Sequence, residues 1–207
     1  MVYPVVKIKR EDIINKNFIT LNPAIYEIED KEVKYEFLIN YKSNLNSAVI
    51  FGTGDINRET KPLPCFDRHS WSSDINATCI FYADPTLYKT IETGLCWCYG
   101  TNDNWYLKNI ADFLSLILNA LEIPMNNTLF FGSSGGGFTA MALATLLHGR
   151  ATVINPQFII ENFWERKVNL MKQVCLHNKE TLIDYRVSIV KLINKMGGGL
   201  ASNPFTN

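Results

Sequence analysis

The residues best suited to chemistry in this chain are Gly132-Ser133-Ser134-Gly135-Gly136, a G-x-S-x-G set between two apolar segments. Before it, Asn127-Thr128-Leu129-Phe130-Phe131 has the character of a short buried strand; after it, Gly137 to His148 reads as a helix. A serine on a sharp strand-to-helix turn needs a strained backbone and small neighbours two positions to either side. Gly132 and Gly136 meet that need, so the spacing predicts a nucleophile elbow with Ser134 at its tip. Ser133 has glycine at only one of the two offsets and is read as a substrate-binding neighbour. The rival reading is an anion-binding loop at a helix start, but the lysine of a P-loop and the spacing of a dinucleotide fingerprint are both missing.

Acyl transfer by a serine needs a nucleophile, a base for its proton and backbone donors for the oxyanion. In an elbow the N–H of the residue after the nucleophile, here Gly135, is one donor. A second donor comes from the loop after an earlier central strand. Phe51-Gly52-Thr53-Gly54 follows the apolar Ala48-Val49-Ile50, which makes Gly52 or Thr53 the candidate, with an ordinary glycine turn as the alternative. The base is harder to find among the three histidines. On the helix launched by Ser134, His148 would lie roughly 21 Å along the axis, out of reach. His177 follows the serine in chain order but sits in the polar stretch Leu176-His177-Asn178-Lys179-Glu180, with no strand to deliver it. His69 lies close in sequence to the candidate oxyanion loop and could line the pocket. Trp71, Trp97, Trp105 and Tyr106 could stack on a sugar or simply pack.

These residues need a scaffold, and the chain supplies one. At 207 residues and 47% hydrophobic it fits a single globular domain, with its core at about residues 24–196 and an irregular tail at 197–207. Strand-like runs cover Ala24–Glu29, Val33–Tyr41, Ser47–Phe51 and Thr78–Ala83. Trp105–Leu121 has helical spacing of apolar residues, followed by the elbow strand, its helix, and a further strand at Ala151–Asn155. Phe158–Met196 reads as mostly helical. The alternation predicts a mainly parallel sheet flanked by helices.

Charge and cysteines exclude other classes. Twenty basic residues balance twenty acidic ones with no basic stripe, which argues against a nucleic-acid partner. No apolar run suits a membrane span, and the N-terminus lacks the pattern of a signal peptide, so a cytoplasmic location is expected. Five cysteines without CxxC spacing indicate neither a disulfide framework nor a zinc site, and Cys96-Trp97-Cys98 reads as packing thiols.

Several phrases together resemble a bacterial family of α/β-hydrolase-like proteins of capsular and other surface-polysaccharide biosynthesis, similar in style to O-acetyltransferases. They are Pro64-Cys65-Phe66-Asp67-Arg68-His69-Ser70-Trp71, Ala83-Asp84-Pro85-Thr86, Gly100-Thr101, Phe131 to Phe138, and Val153-Ile154-Asn155-Pro156-Gln157. The likeness covers about residues 35–194. It implies a three-layer α/β-hydrolase-like fold, Ser134 as the acyl-carrying nucleophile, Gly135 as an oxyanion donor, and the Asp67–Trp71 loop, with Arg68, His69 and Trp71, as pocket wall. It also implies a glycan or other ester substrate, acyl-CoA as a co-substrate without a resident cofactor or metal, and polysaccharide-assembly proteins as partners. In such folds an acid and then a histidine follow the serine on loops after further strands. No such strands are evident before the glycine-rich tail, so the chain is expected to lack the last strands together with the triad acid and histidine. Two functions remain open: a serine esterase or O-acyltransferase, and a non-catalytic hydrolase-like scaffold.

Overall fold

The computed structural model describes residues 2–19, 21–177 and 180–197; nearly all of the tail expected to be irregular, residues 198–207, lies outside them. Among the described residues seven strands form one sheet: β1 (Val5–Ile8), β2 (Ala24–Asp30), β3 (Val33–Asn40), β4 (Ala48–Gly52), β5 (Thr78–Tyr82), β6 (Thr128–Ser133) and β7 (Arg150–Ile154). Their order across the sheet is β1-β2-β3-β5-β4-β6-β7. Only β3 runs against its neighbours; the β5-β4-β6-β7 half is parallel throughout. This is the mainly parallel sheet that the alternation of elements predicts. The Val5–Ile8 segment is too short and too charged at its flanks to read as a strand, yet it pairs in parallel with β2 along its whole length.

Period-two alternation decides what each face meets. Tyr35, Phe37 and Ile39 of β3, Ile50 of β4, Ile80 and Tyr82 of β5, and Phe130 of β6 belong to one large core. That core also contains the buried faces of α1 (Arg10–Ile14), α2 (Tyr106–Ala120) and α3 (Ser134–Leu146). Leu38, Phe51, Cys79 and Phe81 belong to a second, smaller core that Phe66 closes. The layer over this second face is the loop segment 53–77, whose one regular piece is a 3₁₀ turn at His69–Ser73.

Helix α2 buries Tyr106, Leu107, Ile110, Ala111, Phe113, Leu114, Ile117 and Leu118, one stripe at helical spacing. It stops where Glu122 takes a φ of 58° and the Ile123 N–H returns to the Leu118 carbonyl, with Pro124 next. Helix α3 ends the same way: His148, at φ 53°, is the left-handed residue, and the Gly149 N–H bonds the Ala144 carbonyl. Beyond β7, Phe158–Met196 is more broken than expected, into α4 (Glu165–Cys175), α5 (Asp184–Val187) and α6 (Ile189–Lys195).

On β3 one acidic side chain faces inward. Glu36 is 3% exposed, accepts from the Tyr88 hydroxyl and pairs with Lys34 at 3.0 Å. Burial raises its pKa above the ordinary 4.5, and the hydrogen bonds from Tyr88 and Lys34 offset only part of that. A carboxyl whose pKa is raised by folding holds its proton more tightly in the native state. Its contribution to stability therefore declines as pH rises past the unfolded value. Glu36→Gln is expected to flatten that decline, as urea unfolding across the acid-to-neutral range would report; a pH dependence unchanged by the substitution would refute it.

Candidate active site

The geometry begins at the end of β6. Ser134 follows Ser133 directly, opens α3, and has a φ of 51°. A non-glycine residue in the left-handed region is uncommon and costs on the order of 1–3 kcal/mol, which the surrounding structure must offset. The surroundings here are backbone packed on backbone. A Cβ on Gly132 would lie 2.0 Å from the Gly136 carbonyl oxygen, and one on Gly136 would lie 2.6 Å from that of Gly52. The start of α3, the end of β6 and the loop after β4 are thus in direct contact because three glycines let them be.

That contact brings the candidate oxyanion residues to the elbow. Gly135 is the second residue of α3, where an N–H has no intrahelical partner. Gly52 and Thr53 abut Gly136, and Thr53 is fixed by its hydroxyl, which donates to the Cys65 carbonyl at 3.1 Å. Arg68, itself at φ 63°, donates to Ser133 Oγ at 2.7 Å, with its guanidinium near the rings of Trp71 and Phe131. Arg68 and Trp71 therefore gather at Ser133 and Phe131, while the Ser134 hydroxyl meets a different side chain. His69 turns elsewhere, with Nδ1 3.0 Å from the Tyr3 hydroxyl. A cleft of about 630 Å³ runs between Tyr3 and the 61–70 loop; Arg68 and His69 line it and Ser134 does not. This cleft is therefore not the one the chemistry selects.

None of the three histidines is hydrogen-bonded to Ser134 among the described residues. His148 is the C-terminal turn of α3, and His177 is exposed. The Ser134 hydroxyl instead meets a residue that the Asn-Pro-Gln phrase contains but to which the resemblance gives no role. Gln157 Nε2 lies 3.2 Å from Ser134 Oγ, and its Oε1 accepts from the Trp97 indole at 2.7 Å. The Asn-Pro-Gln phrase explains the approach. Asn155 turns the chain at φ 44°, a conformation asparagine tolerates, and Pro156 packs against Gly137, whose Cβ would lie 2.9 Å from the proline's.

The loop carrying Trp97 is also strained, with Trp97 and Cys98 at φ 52° and 53°. Buried Asp84 holds it by accepting from the Cys98 N–H at 2.9 Å. Cys96 and Cys98 are buried thiols: a hydrogen bond with Cys175 first, then burial, raises the Cys96 pKa, and burial first, then Asp84, raises that of Cys98. Among the described residues no group of three or more His, Cys, Asp or Glu side chains could hold a metal. Of the four aromatics considered for sugar stacking, Trp97 and Tyr106 are core residues, at 2% and 5% exposed, while Trp71 is 45% exposed.

No protein-family model and no curated protein matches the chain. Solved structures do. A variant of the capsule O-acetyltransferase of Neisseria meningitidis serogroup A in complex with CoA superposes with a TM-score of 0.59 at 18% identity, over 83% of this chain and 69% of that one. Another structure of that O-acetyltransferase, in complex with caged gadolinium, gives 0.53 at 16%, over 70% of this chain and 61% of that one. A glycosylation associate protein complex from Streptococcus agalactiae gives 0.60 at 15%, over 83% of this chain and 32% of that one. At these identities the shared property is the fold. The chain has a three-layer α/β-hydrolase-like fold, as the resemblance of its phrases implies, with loop 53–77 as the layer opposite the helices, and it spans about three fifths of the gadolinium-bound O-acetyltransferase.

Proposed function

We propose that this protein is a serine-dependent acyl-transfer enzyme, an esterase or an O-acyltransferase, in which Ser134 carries the acyl group. The observation that carries the reading is the left-handed Ser134 at the junction of β6 and α3, with glycines packed two residues to either side. Oγ would attack an acyl carbonyl and form the Oγ–C bond as the carbonyl π pair moves to oxygen. The Gly135 N–H and that of Gly52 or Thr53 would hold the resulting oxyanion, whose collapse would break the bond to the donor's sulfur or oxygen and release it, protonated, as thiol or alcohol; a sugar hydroxyl or water would then attack the acyl-serine and free Oγ with its proton. The hydroxyl proton passes to a base that is not hydrogen-bonded to Ser134 among the described residues. Arg68, Ser133 and Trp71 would contact the substrate, which we take to be a surface polysaccharide or its precursor, with acyl-CoA as donor and polysaccharide-assembly proteins as partners in the cytoplasm. The aromatic and guanidinium surfaces of Trp71 and Arg68 suit a sugar ring and its hydroxyls or an anionic group. His69 would serve from the cleft wall. No described helix is long and apolar enough to cross a membrane.

A second reading, a hydrolase-like scaffold without catalysis, is favoured by the donor rather than base that faces Ser134 Oγ. The two separate in one experiment. Incubation with an activated acetyl ester or acetyl-CoA, followed by intact-mass and peptide mass spectrometry, should find one acetyl group on Ser134. A folded chain that never gains it under either donor favours the scaffold.

A further inference from the structure

We propose that Gln157 is the positioning residue of the Ser134 hydroxyl and that Trp97 sets its polarity; this rests on the acyl-transfer reading above. An indole N–H can only donate, so the carboxamide oxygen must face Trp97, and the 2.7 Å bond fixes it there. The amide nitrogen is then the group left to face Ser134 Oγ, at 3.2 Å. A carboxamide N–H donates and cannot take a proton. Gln157 therefore occupies a lone pair of Oγ, fixes the serine rotamer, and leaves the serine's own proton directed away from Trp97 and Gln157. A base that activates Ser134 must approach from that opposite side.

The backbone is arranged to keep this contact. Two consecutive non-glycine residues in the left-handed region, Trp97 and Cys98, present the indole, and buried Asp84 secures them. Gly135 lacks a Cβ where one would stand 2.5 Å from Leu95 and 3.3 Å from the Trp97 indole nitrogen, so the loop lies directly on the elbow. On the other flank the left-handed Asn155 and the packed Pro156 aim Gln157, whose N–H also approaches the Ser134 carbonyl at 3.5 Å. Strain on both flanks of a single side chain is the pattern of a preorganised site rather than of general packing.

Two measurements on the 207-residue chain test this. In side-chain amide and indole NMR, Ser134→Ala is expected to shift the Gln157 carboxamide signals, while Gln157→Met shifts the Trp97 indole signal. In phosphonylation by a fluorophosphonate, which forms an Oγ–P bond with loss of fluoride, Gln157→Met should slow labelling of Ser134 by roughly 10- to 100-fold in a chain that stays folded, its Tm lowered by the unpaired Trp97 indole N–H. Trp97→Phe should slow it less, and the two together no more than Gln157→Met alone, because both act through one contact. Carboxamide signals indifferent to Ser134→Ala, or a labelling rate within about 3-fold of wild type in folded Gln157→Met, where at least 10-fold is expected for loss of such a partner, would overturn the proposal. No labelling of the wild-type chain, with the carboxamide response intact, would remove the acyl-transfer reading and leave the positioning contact supported.

Discussion

Gly132→Ala is expected to cost this protein a large part of its stability, although it adds one methyl group at a buried glycine. The added carbon would lie 2.0 Å from the Gly136 carbonyl oxygen, 2.3 Å from its carbon and 2.8 Å from the Gly137 nitrogen. These are backbone atoms, so no side-chain rotation relieves the overlap. The first turn of α3 would have to move, and its far side is already in contact with the loop after β4 and with Pro156. Overpacking in a tight core costs about 1–3 kcal/mol where side chains can yield, so a clash with fixed backbone should exceed about 3 kcal/mol. That is a large fraction of the roughly 5–15 kcal/mol that holds a domain folded. Gly54→Ala is the control, since its nearest neighbour would be the Ser133 carbonyl oxygen at 3.6 Å, an ordinary contact. Its stability should stay within about 1 kcal/mol of wild type. Urea unfolding of the two variants decides the matter; Gly132→Ala folding as stably as Gly54→Ala would mean the elbow is not held by glycine contacts.

The same glycines explain which parts of the site were legible in the sequence. A strand, a turn and a helix that follow one another in the chain leave their signals within about fifteen residues, and glycine at fixed offsets has a local steric meaning. Hence β6, Ser134 and α3 lie where the motif puts them, and the apolar stripe of α2 marks its limits to within a residue or two. The loop at 52–53 was readable as a neighbour of the elbow because it ends a central strand. Gln157 was not, since its role depends on an indole 60 positions away and on a turn that places its carboxamide between that indole and Ser134 Oγ. Trp97 carried an ambiguous signal, because a tryptophan between two cysteines suits a pocket rim as well as a core, and only the packing of the 95–98 loop on Gly135 decides it. Strand β1 escaped notice because four residues with one buried side chain give too little periodicity, and its partner β2 lies beyond a helix and a loop. The second face of the sheet is closed by loop 53–77 rather than by a helix, and loops held by tertiary contacts such as Thr53 to Cys65 carry no periodic pattern at all.

Ser134→Ala and Ser134→Gly should both abolish fluorophosphonate labelling, and their stabilities should fall in an order that reveals the elbow's strain. Each variant removes Oγ and with it the contact from Gln157, so that loss is common to both. They differ only in the Cβ. In a helix of ordinary geometry glycine is about 1 kcal/mol less stable than alanine. At φ 51° the preference reverses: a side chain in the left-handed region costs roughly 1–2 kcal/mol that glycine does not incur. Ser134→Gly should therefore be the more stable variant by about 1 kcal/mol, or about 2–4 °C in Tm for a domain of this size. The complete loss of labelling identifies the reactive oxygen, while the order of the two midpoints tests the backbone that presents it. Labelling that survives in either variant would place the nucleophile elsewhere, with Ser133 the first alternative. An alanine variant more stable than the glycine one would mean that the serine sits without strain, and the geometric argument for an activated nucleophile would lose its support.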